Sequence, residues 1–274
     1  IEDILFTYYS YKPAIMRRCH PGPGVELAGA AATDRAQWRG YIPGDEDGSL
    51  RVDAIGLESA RTQQHALIER ILTSTADRAP RFGCFGLHEW AMVYRDDRPR
   101  HDVPLRLGSA GTDAVVEAHE LRCTHIDAFR FFTPDAVPRN ELIPTRETQP
   151  EMDQPGCLHA GMDVYKWAIK LGPLVPGHLL LDAFELARDI RLLDMRASPY
   201  DLTSWGEAPI RIESPDGKAE YVRQQRVFAD RSNALRRAIV TAWRGHSAVT
   251  HSGHATAGAG RLSRSASTRV TASS

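Results

Sequence analysis

Two consecutive segments with helical periodicity, between residues 157 and 199, constrain the fold more than any other feature of the chain. The first, CLHAGMDVYKWAIKLG, ends at Gly172, and the second begins at Pro176 and ends before Pro199. Glycine and proline at such positions are typical signals for the end and the beginning of a helix. We therefore predict two helices here and a chain that is predominantly helical.

Apolar spacing predicts further helices and a few short strands. One amphipathic helix is expected from Asp53 to Asp77, and a long helix is expected over residues 218–244. The segment HPGPGVEL is predicted to turn into a short strand, and residues 29–50 are predicted to form a loop or a small hairpin.

Three other segments are predicted to be extended or tightly turned. RFGCFGLHEWAMVYR is predicted to contain a buried strand, or a strand followed by a helical turn, and VVEAHEL is predicted to pair with PLRLG in a hairpin. Asp216 and Gly217 are predicted to form a tight turn. The stretch 134–156 carries five prolines and many charges, and it is predicted to be a long ordered loop.

These elements together predict an α+β fold. We expect a single globular domain over residues 1–244, predominantly helical with a small antiparallel sheet. Residues 245–274 are rich in serine, alanine, glycine and threonine, and they are predicted to form a disordered tail of low complexity.

Composition and charge exclude some classes of function. The chain has 274 residues, of which 42% are hydrophobic and 25% charged, as is ordinary for a globular protein. A net charge of −1 excludes a strong overall positive field that would attract nucleic acid, although a local basic patch stays open. No apolar run reaches about 18 residues, so we expect no membrane partner.

The cysteines are Cys19, Cys84, Cys123 and Cys157, and they form no C-x-x-C pair. A zinc site with paired cysteines is therefore not expected. We predict buried free thiols in a cytoplasmic protein, because thiols stay reduced in that compartment. Since the sequence starts at Ile1 rather than Met, we also expect it to begin inside a longer chain.

The segment from Cys123 to Lys166 is predicted to form the wall of a functional site. It mixes acids, bases and aromatic rings among proline and glycine, which is more typical of a lined cavity than of a surface linker. Together with GLHEW it supplies the predicted catalytic residues Glu89, Asp127, His125, His159 and Asp163. The predicted substrate-binding residues are aromatic or basic: Trp90, Tyr94, Phe129, Arg130, Arg146, Tyr165 and Lys166.

The histidines support an alternative, which is a metal centre. The candidate ligands are His88, His125 and His159, and iron or zinc suits a site that combines imidazole with carboxylates. His125 and His159 each have an aspartate nearby in sequence, and such a pair either chelates a metal or forms a plain hydrogen bond. Neither the H-E-x-x-H motif of zinc proteases nor the E-x-x-H motif of di-iron bundles occurs, and both interpretations stay open.

Several segments resemble a known bacterial family. They are FTYYSYKPA, GCFGLHEWAMVYR, PLRLG, CTHIDAFRFFTP, QPGCLHAGMDVYKWA, FELARDIRLLDMRASPYDL and KAEYVRQQRVFADR, which together span roughly residues 1–235. The family carries the name 3-methyladenine DNA glycosylase. The resemblance implies a hydrolase of DNA repair, without a cofactor, that cleaves the N-glycosidic bond of an alkylated purine in DNA or a nucleoside. The resemblance implies no particular catalytic residue. The chain also lacks the helix-hairpin-helix glycine hairpin of better-known glycosylases and the aspartate that follows it.

The chemistry of that reaction fits the candidate residues. It needs a pocket that stacks the base, and a carboxylate that stabilises the oxocarbenium-like sugar or activates water. Glu89 and Asp127 are predicted to supply the carboxylate, and the neighbouring rings of Trp90 and Phe129 are predicted to stack on the base. DNA as a partner requires a basic surface, for which the candidates are Arg95, Arg98, Arg100, Arg106, Arg122 and Arg130.

Other classes of function stay open from the sequence. A non-catalytic binding protein would use the same aromatic pocket without chemistry. No Gly-rich phosphate loop, G-x-S-x-G elbow or G-x-G-x-x-G motif occurs, so nucleoside-triphosphatase, serine-hydrolase and dinucleotide-binding functions are not expected. The sequence makes no prediction of the oligomeric state.

Overall fold

The helices pack around one hydrophobic core, and a small sheet lies at one end of the chain. The structure, a computed structural model, describes residues 3–96 and 102–255, with side chains for residues 5–96 and 102–245. The α-helices of the described residues are α1 (Asp3–Thr7), α2 (Pro13–Met16), α3 (Ala54–Ala60), α4 (Thr62–Asp77), α5 (Leu87–Ala91), α6 (Gly108–Glu117), α7 (Ile126–Phe129), α8 (Gln149–Met152), α9 (Leu158–Leu171), α10 (Gly177–Arg196) and α11 (Pro215–Ala255).

The two helices predicted between residues 157 and 199 are confirmed as α9 and α10, and they form the centre of the core. They pack against each other more extensively than any other pair of described elements, and α11 and α4 pack around them. Gly161 allows the close approach, since a Cβ atom there would lie 2.8 Å from Ile190 Cδ1 and 3.0 Å from Ser232 Oγ. Ile190 and Val164 have 0% exposure, as close packing of these helices requires.

The sheet is antiparallel and has three short strands, β1 (Glu26–Leu27), β2 (Tyr41–Pro43) and β3 (Leu50–Val52). Its strand order is β1-β3-β2, with Leu27 opposite Leu50 and Tyr41 opposite Val52. The strand predicted after HPGPG and the small hairpin predicted near residues 29–50 are both present. The predicted fold class, α+β and predominantly helical with a small antiparallel sheet, is confirmed.

The strand predicted in RFGCFGLHEWAMVYR is wrong, because this segment forms the short helix α5. Phe85 and Gly86 have φ values of 48° and 74°, so the backbone turns sharply just before the helix. Extended chain does not pass through this left-handed region, which glycine adopts readily. The amide of Leu87 then donates to the carbonyl oxygen of Cys84 at 2.8 Å, and the helix begins.

The hairpin predicted from PLRLG and VVEAHEL is also wrong. Residues Gly108–Glu117 form α6, which buries Thr112, Val115 and Val116 on one face. Spacings of three and four residues are typical of a helix, and they override the alternation that suggested a strand.

The tight turn predicted at Asp216 and Gly217 lies instead in the first turn of α11. Ser214 Oγ accepts a hydrogen bond from the amide of Gly217 at 3.1 Å, and Pro215 follows directly. Serine before proline is a typical beginning of a helix, because the hydroxyl caps a free amide and proline needs no donor.

Two other predictions about helices differ from the structure. The single helix predicted from Asp53 to Asp77 is broken at Arg61 into α3 and α4. Ile55 and Leu67 have the apolar spacing that predicted this helix, but they are 66% and 45% exposed. The domain boundary predicted after residue 244 falls inside α11, and residues 256–274 lie outside the described residues. Within the described part of the chain, no helix is long and apolar enough to cross a bilayer.

Candidate active site

A cavity of about 170 Å³ lies where α1, α5, α9 and α10 meet. It has a mixed lining of apolar, aromatic and ionisable side chains. These are Leu5, Tyr8, Tyr9, Glu89, Met92, Val93, Asp127, Phe131, His159, Met162, Arg191 and Tyr200. Largely apolar cavities with a few convergent polar groups are typical of binding sites for small molecules. Of the predicted catalytic residues, Glu89, Asp127 and His159 line this cavity.

The helix α5 places His88 and Glu89 in one buried network, rather than on the opposite faces of a strand. His88 Nε2 lies 2.8 Å from Asp194 Oδ1. Arg191 Nη1 donates to Glu89 Oε1 at 2.9 Å and to Asp194 Oδ2 at 3.0 Å. Two acids and two bases thus form a continuous chain of charged hydrogen bonds beside the cavity.

Arg191 and Asp194 were not among the predicted site residues. They lie three residues apart in IRLLDMR, so they meet on one face of α10. Asp194 stands between Leu193 and Met195 and has 0% exposure. An aspartate inside an apolar stretch of a helix is the signal that points to this network, since a fully buried carboxylate needs partners.

Asp127 lies at the start of α7 and is bound by three cations. Arg146 Nη1 donates to its Oδ2 at 2.9 Å and Lys166 Nζ does so at 3.0 Å, while Arg130 Nε lies 3.2 Å from Oδ1. Its side chain is only 3% exposed. The predicted substrate-binding residues Arg130, Arg146 and Lys166 therefore act first as partners of a predicted catalytic acid.

His125 and Asp163 form a second buried network behind Asp127. The backbone amide of Asp127 donates to His125 Nδ1 at 3.2 Å, which leaves the proton of the neutral ring on Nε2. His125 Nε2 then lies 3.2 Å from Asp163 Oδ2, to which Lys166 Nζ also donates at 2.6 Å. Neither His125 nor Asp163 lines the cavity, so the structure places both as supports of Asp127 and Lys166.

The pKa values of the two carboxylates on the cavity wall are shifted in opposite directions. Burial raises the pKa of Glu89, and the charge of Arg191 opposes this only in part. Burial also acts to raise the pKa of Asp127, but Arg146 and Lys166 outweigh it and lower that pKa to about 2. Glu89 therefore holds a proton more strongly than an ordinary glutamate does, whereas Asp127 stays ionised.

His159 is the neutral base of the site. Burial lowers its pKa well below the usual value, and the neighbouring charge of His88 lowers it further. The rings of His159 and His88 meet edge to face, with centroids 4.5 Å apart. Its Nδ1 atom is buried and has no hydrogen-bond partner among the described residues. A neutral imidazole on a cavity wall can accept a proton or bind a metal.

The aromatic rings on the cavity wall differ from those predicted. Trp90, Tyr94 and Phe129 are at most 8% exposed and belong to the core, where Trp90 Nε1 donates to the carbonyl oxygen of Ala197 at 2.9 Å. Tyr165 is also fully buried and packs edge to face against Tyr9, with centroids 5.5 Å apart. The rings that line the cavity are Tyr8, Tyr9, Phe131 and Tyr200.

Four of these groups have the arrangement of metal ligands. One ligand atom from each of His88, Glu89, His159 and Asp194 lies within 4.8 Å of the others. Two imidazoles and two carboxylates suit Zn²⁺ or Fe²⁺. His125, the third ligand of the predicted set, is outside this group. Arg191 opposes a cation here, because it already contacts both carboxylates.

All four cysteines are free thiols, in agreement with the sequence. Cys123 and Cys157 are buried as predicted, whereas Cys84 is half-buried and Cys19 is exposed, so the prediction of burial is wrong for two of the four. Cys84 Sγ lies 3.5 Å from His88 Nδ1 and thus contacts the network beside the cavity.

The arginines predicted to form a basic surface are mostly paired with acids. Arg95 lies 2.8 Å from Glu117, and Arg106 lies 2.7 Å from Glu213. Arg122 contacts Glu120 at 2.7 Å and Glu141 at 2.8 Å. The predicted residues Arg98 and Arg100 lie outside the described residues. The described arginines therefore add little positive field to this surface.

Comparison of the chain with models of protein families, with curated proteins and with solved structures finds no match in any of the three.

Proposed function

We propose that the chain hydrolyses the N-glycosidic bond of an alkylated purine nucleoside, free or within DNA. This proposal depends on one observation: Glu89 and Asp127 line the same aromatic cavity, and the pKa of Glu89 is raised while that of Asp127 is lowered. Hydrolysis of a glycosidic bond uses two carboxylic groups, one of which handles a proton while the other stays charged. The resemblance to 3-methyladenine DNA glycosylases supports the choice of an alkylated purine.

The walls of the cavity suit a flat, positively charged ring. Tyr8, Tyr9 and Phe131 present aromatic surfaces, and a cation over such a ring is attracted by its electron-rich face. An alkylated purine carries a positive charge, which these rings attract. Because three cations already bind Asp127, its negative charge is offset, and we assign it the role of positioning the substrate.

Glu89 is the proposed general base. The bond between C1′ of the sugar and the purine nitrogen breaks, and its electron pair neutralises the cationic base. A water molecule then forms the new C1′–O bond and gives its proton to Glu89, whose raised pKa makes it a stronger base than an ordinary glutamate. Arg191 holds the carboxylate at 2.9 Å, and thereby fixes its position beside the cavity.

A free nucleoside fits the surface better than DNA does. The described arginines predicted for the DNA backbone are paired with acids, and phosphate contacts supply much of the affinity for DNA. We include a cytoplasmic location in this proposal, because all four cysteines are free thiols and thiols stay reduced in the cytoplasm.

The test is release of methylated base, followed by chromatography, from 7-methyl-2′-deoxyguanosine and from DNA treated with dimethyl sulfate. We expect Glu89→Gln to lower the rate by about 10² to 10⁴-fold, the range of a general base. Glu185→Gln is the matched control, because Glu185 is exposed on α10. Absence of base release from both substrates by a folded chain would reject the proposal.

A metal-dependent enzyme acting on a small molecule is the second candidate, and the grouping of His88, Glu89, His159 and Asp194 favours it. The test is elemental analysis of the chain after exposure to Zn²⁺ or Fe²⁺ and gel filtration. One metal per chain that is lost in His159→Ala but kept in His119→Ala supports a metal centre. His119 is a fair control, because it lies outside the group and contacts the carbonyl oxygen of Val115. Retention of the metal by His159→Ala excludes this site.

A further inference from the structure

A second pocket, of about 210 Å³, lies between the N-terminal region of the chain and the C-terminal turn of α9. We name it the basic pocket after four of its lining residues, Arg18, Arg39, Arg61 and Lys170. It shares no lining residue with the cavity described above. The core residue Tyr165 lies between them, since its ring packs against Tyr9 of the cavity and Tyr11 of the basic pocket.

The side chains that line the basic pocket carry an excess of positive charge, and Glu58 on α3 is close enough to act on His65, one of the lining residues. Among the side chains that the structure describes, no carboxylate lines it, and none of its four cations forms an ion pair. This contrasts with the rest of the surface, where arginines such as Arg106 and Arg122 are paired, and with the net charge of −1. Four like charges around one concave surface attract an anion.

Aromatic rings and guanidinium groups are in contact in the wall of the basic pocket. Trp38 lines the pocket, with the guanidinium carbons of Arg18 and Arg35 at 5.2 and 4.7 Å from its ring centroid. Arg35 also donates to the Tyr41 hydroxyl at 2.9 Å, and His20 Nδ1 lies 2.9 Å from the same oxygen. The guanidinium group of Arg18 thus lies over the ring of Trp38 at the edge of the pocket, where it can meet an anion.

The first turn of α4 borders the basic pocket. Arg61 is the N-cap of α4, which no side chain caps, and it is also the C-cap of α3. The partial charges of the two helix ends are opposite and offset each other at this position, so the positive charge of the pocket comes from its side chains. His65, one turn into α4, lines the pocket, is only 4% exposed, and its Nδ1 lacks a hydrogen-bond partner among the described residues.

The pKa values of two lining residues are lowered, mainly by burial and further by neighbouring cations. Burial, together with Arg35 and Arg18, lowers the pKa of His20 to about 4. Burial and the charge of Lys166 lower the pKa of Lys170. The C-terminal turn of α9 brings partial negative charge, but Lys170 in that turn offsets it.

We propose that the basic pocket binds the phosphate group of an organic phosphate. Arginine forks and a lysine match the geometry and charge of phosphate oxygens, and the ring of Trp38 offers an adjoining flat surface. The phosphate belongs either to a mononucleotide or to a nucleic-acid strand. This phosphate site does not depend on the proposed glycosidic chemistry, so a separate experiment tests it.

Calorimetric titration of the full chain with adenosine monophosphate, inorganic phosphate and a single-stranded pentanucleotide tests this site. We expect binding at low salt that weakens as salt is added, since the four cations are exposed and screened. Tighter binding of the monophosphate than of the pentanucleotide identifies a small nucleotide as the ligand. The reverse order, with a steep dependence on salt, identifies a nucleic-acid strand.

Arg39→Gln and Lys170→Gln are expected to weaken binding about fivefold each, as for the loss of one charged contact at a surface. Both residues are exposed, so neither change threatens the fold. Arg122→Gln is the matched control, because Arg122 is an exposed arginine outside the pocket. Failure of all three probes to bind at low salt, or equal weakening by Arg122→Gln, overturns the proposal.

Discussion

Removal of the Asp194 carboxylate should destabilise the fold strongly, because it leaves two buried cations without their shared partner. Asp194 has 0% exposure and accepts hydrogen bonds from His88 at 2.8 Å and from Arg191 at 3.0 Å. Breaking a buried pair by deleting one partner costs about 3 to 5 kcal/mol. We expect the loss of stability in Asp194→Ala to lie near the lower end of this range. His88 can lose its proton, and Arg191 keeps its hydrogen bond to Glu89.

Two further variants separate charge from shape. Asp194→Asn keeps the shape and part of the hydrogen bonding, and it should cost about 1.5 to 3 kcal/mol, as for the loss of hydrogen bonds to a charged group. Asp182→Ala is the control on the same helix, since Asp182 is exposed, and it should change the free energy of unfolding by less than about 0.5 kcal/mol.

Urea denaturation followed by circular dichroism measures these changes. The midpoint of Asp194→Ala should fall while the slope of the free energy against urea stays the same, which indicates a loss of stability rather than a new unfolding mechanism. A loss of less than about 1 kcal/mol in the free energy of unfolding of Asp194→Ala would refute the reasoning, because removal of the acid should leave buried charged groups unpaired.

Other predictions concern pH, packing and the ligand. The pKa of Asp127 falls from 3.8 to about 2 on folding, so it should contribute about 2 kcal/mol above pH 4 that is lost as the pH falls to 2, which urea titration across this range measures. Gly161→Ala should lower the midpoint of thermal unfolding, because its Cβ would lie 2.8 Å from Ile190 Cδ1, whereas Gly245→Ala, with open space around it, should not. Phe131→Ala should weaken binding of 7-methylguanine by about 0.5 to 1.5 kcal/mol in calorimetry, the range for one ring contact.

The helical core could be predicted from the sequence because its signals are local. Gly172 and Pro176 delimit α9 and α10, and apolar spacing identifies their buried faces. The helix α5 could not be predicted in this way, because its start depends on the left-handed Phe85, a residue type that gives no warning of that conformation.

The site was predicted in part, for a similar reason. Glu89, Asp127 and His159 were predicted correctly as cavity residues, because acids and histidines next to aromatic residues can be recognised from the sequence without knowledge of the fold. Trp90 and Tyr94 were misplaced, because the sequence does not tell which face of a short segment points to the core. Arg191 and Asp194 were missed because their importance comes from contacts with α5, about 100 residues earlier in the chain.

The most direct test of the central claim is whether a flat, alkylated base occupies the cavity. Calorimetric titration of 3-methyladenine into the wild-type chain is compared with Met162→Trp, in which a larger side chain enters the cavity from α9, and with Leu181→Trp, in which the same ring is added at an exposed position of α10. We predict binding to the wild type and to Leu181→Trp, and at least about tenfold weaker binding to Met162→Trp, the ratio that corresponds to about 1.4 kcal/mol. Equal affinity in all three chains, or no binding to the wild type, would contradict the account.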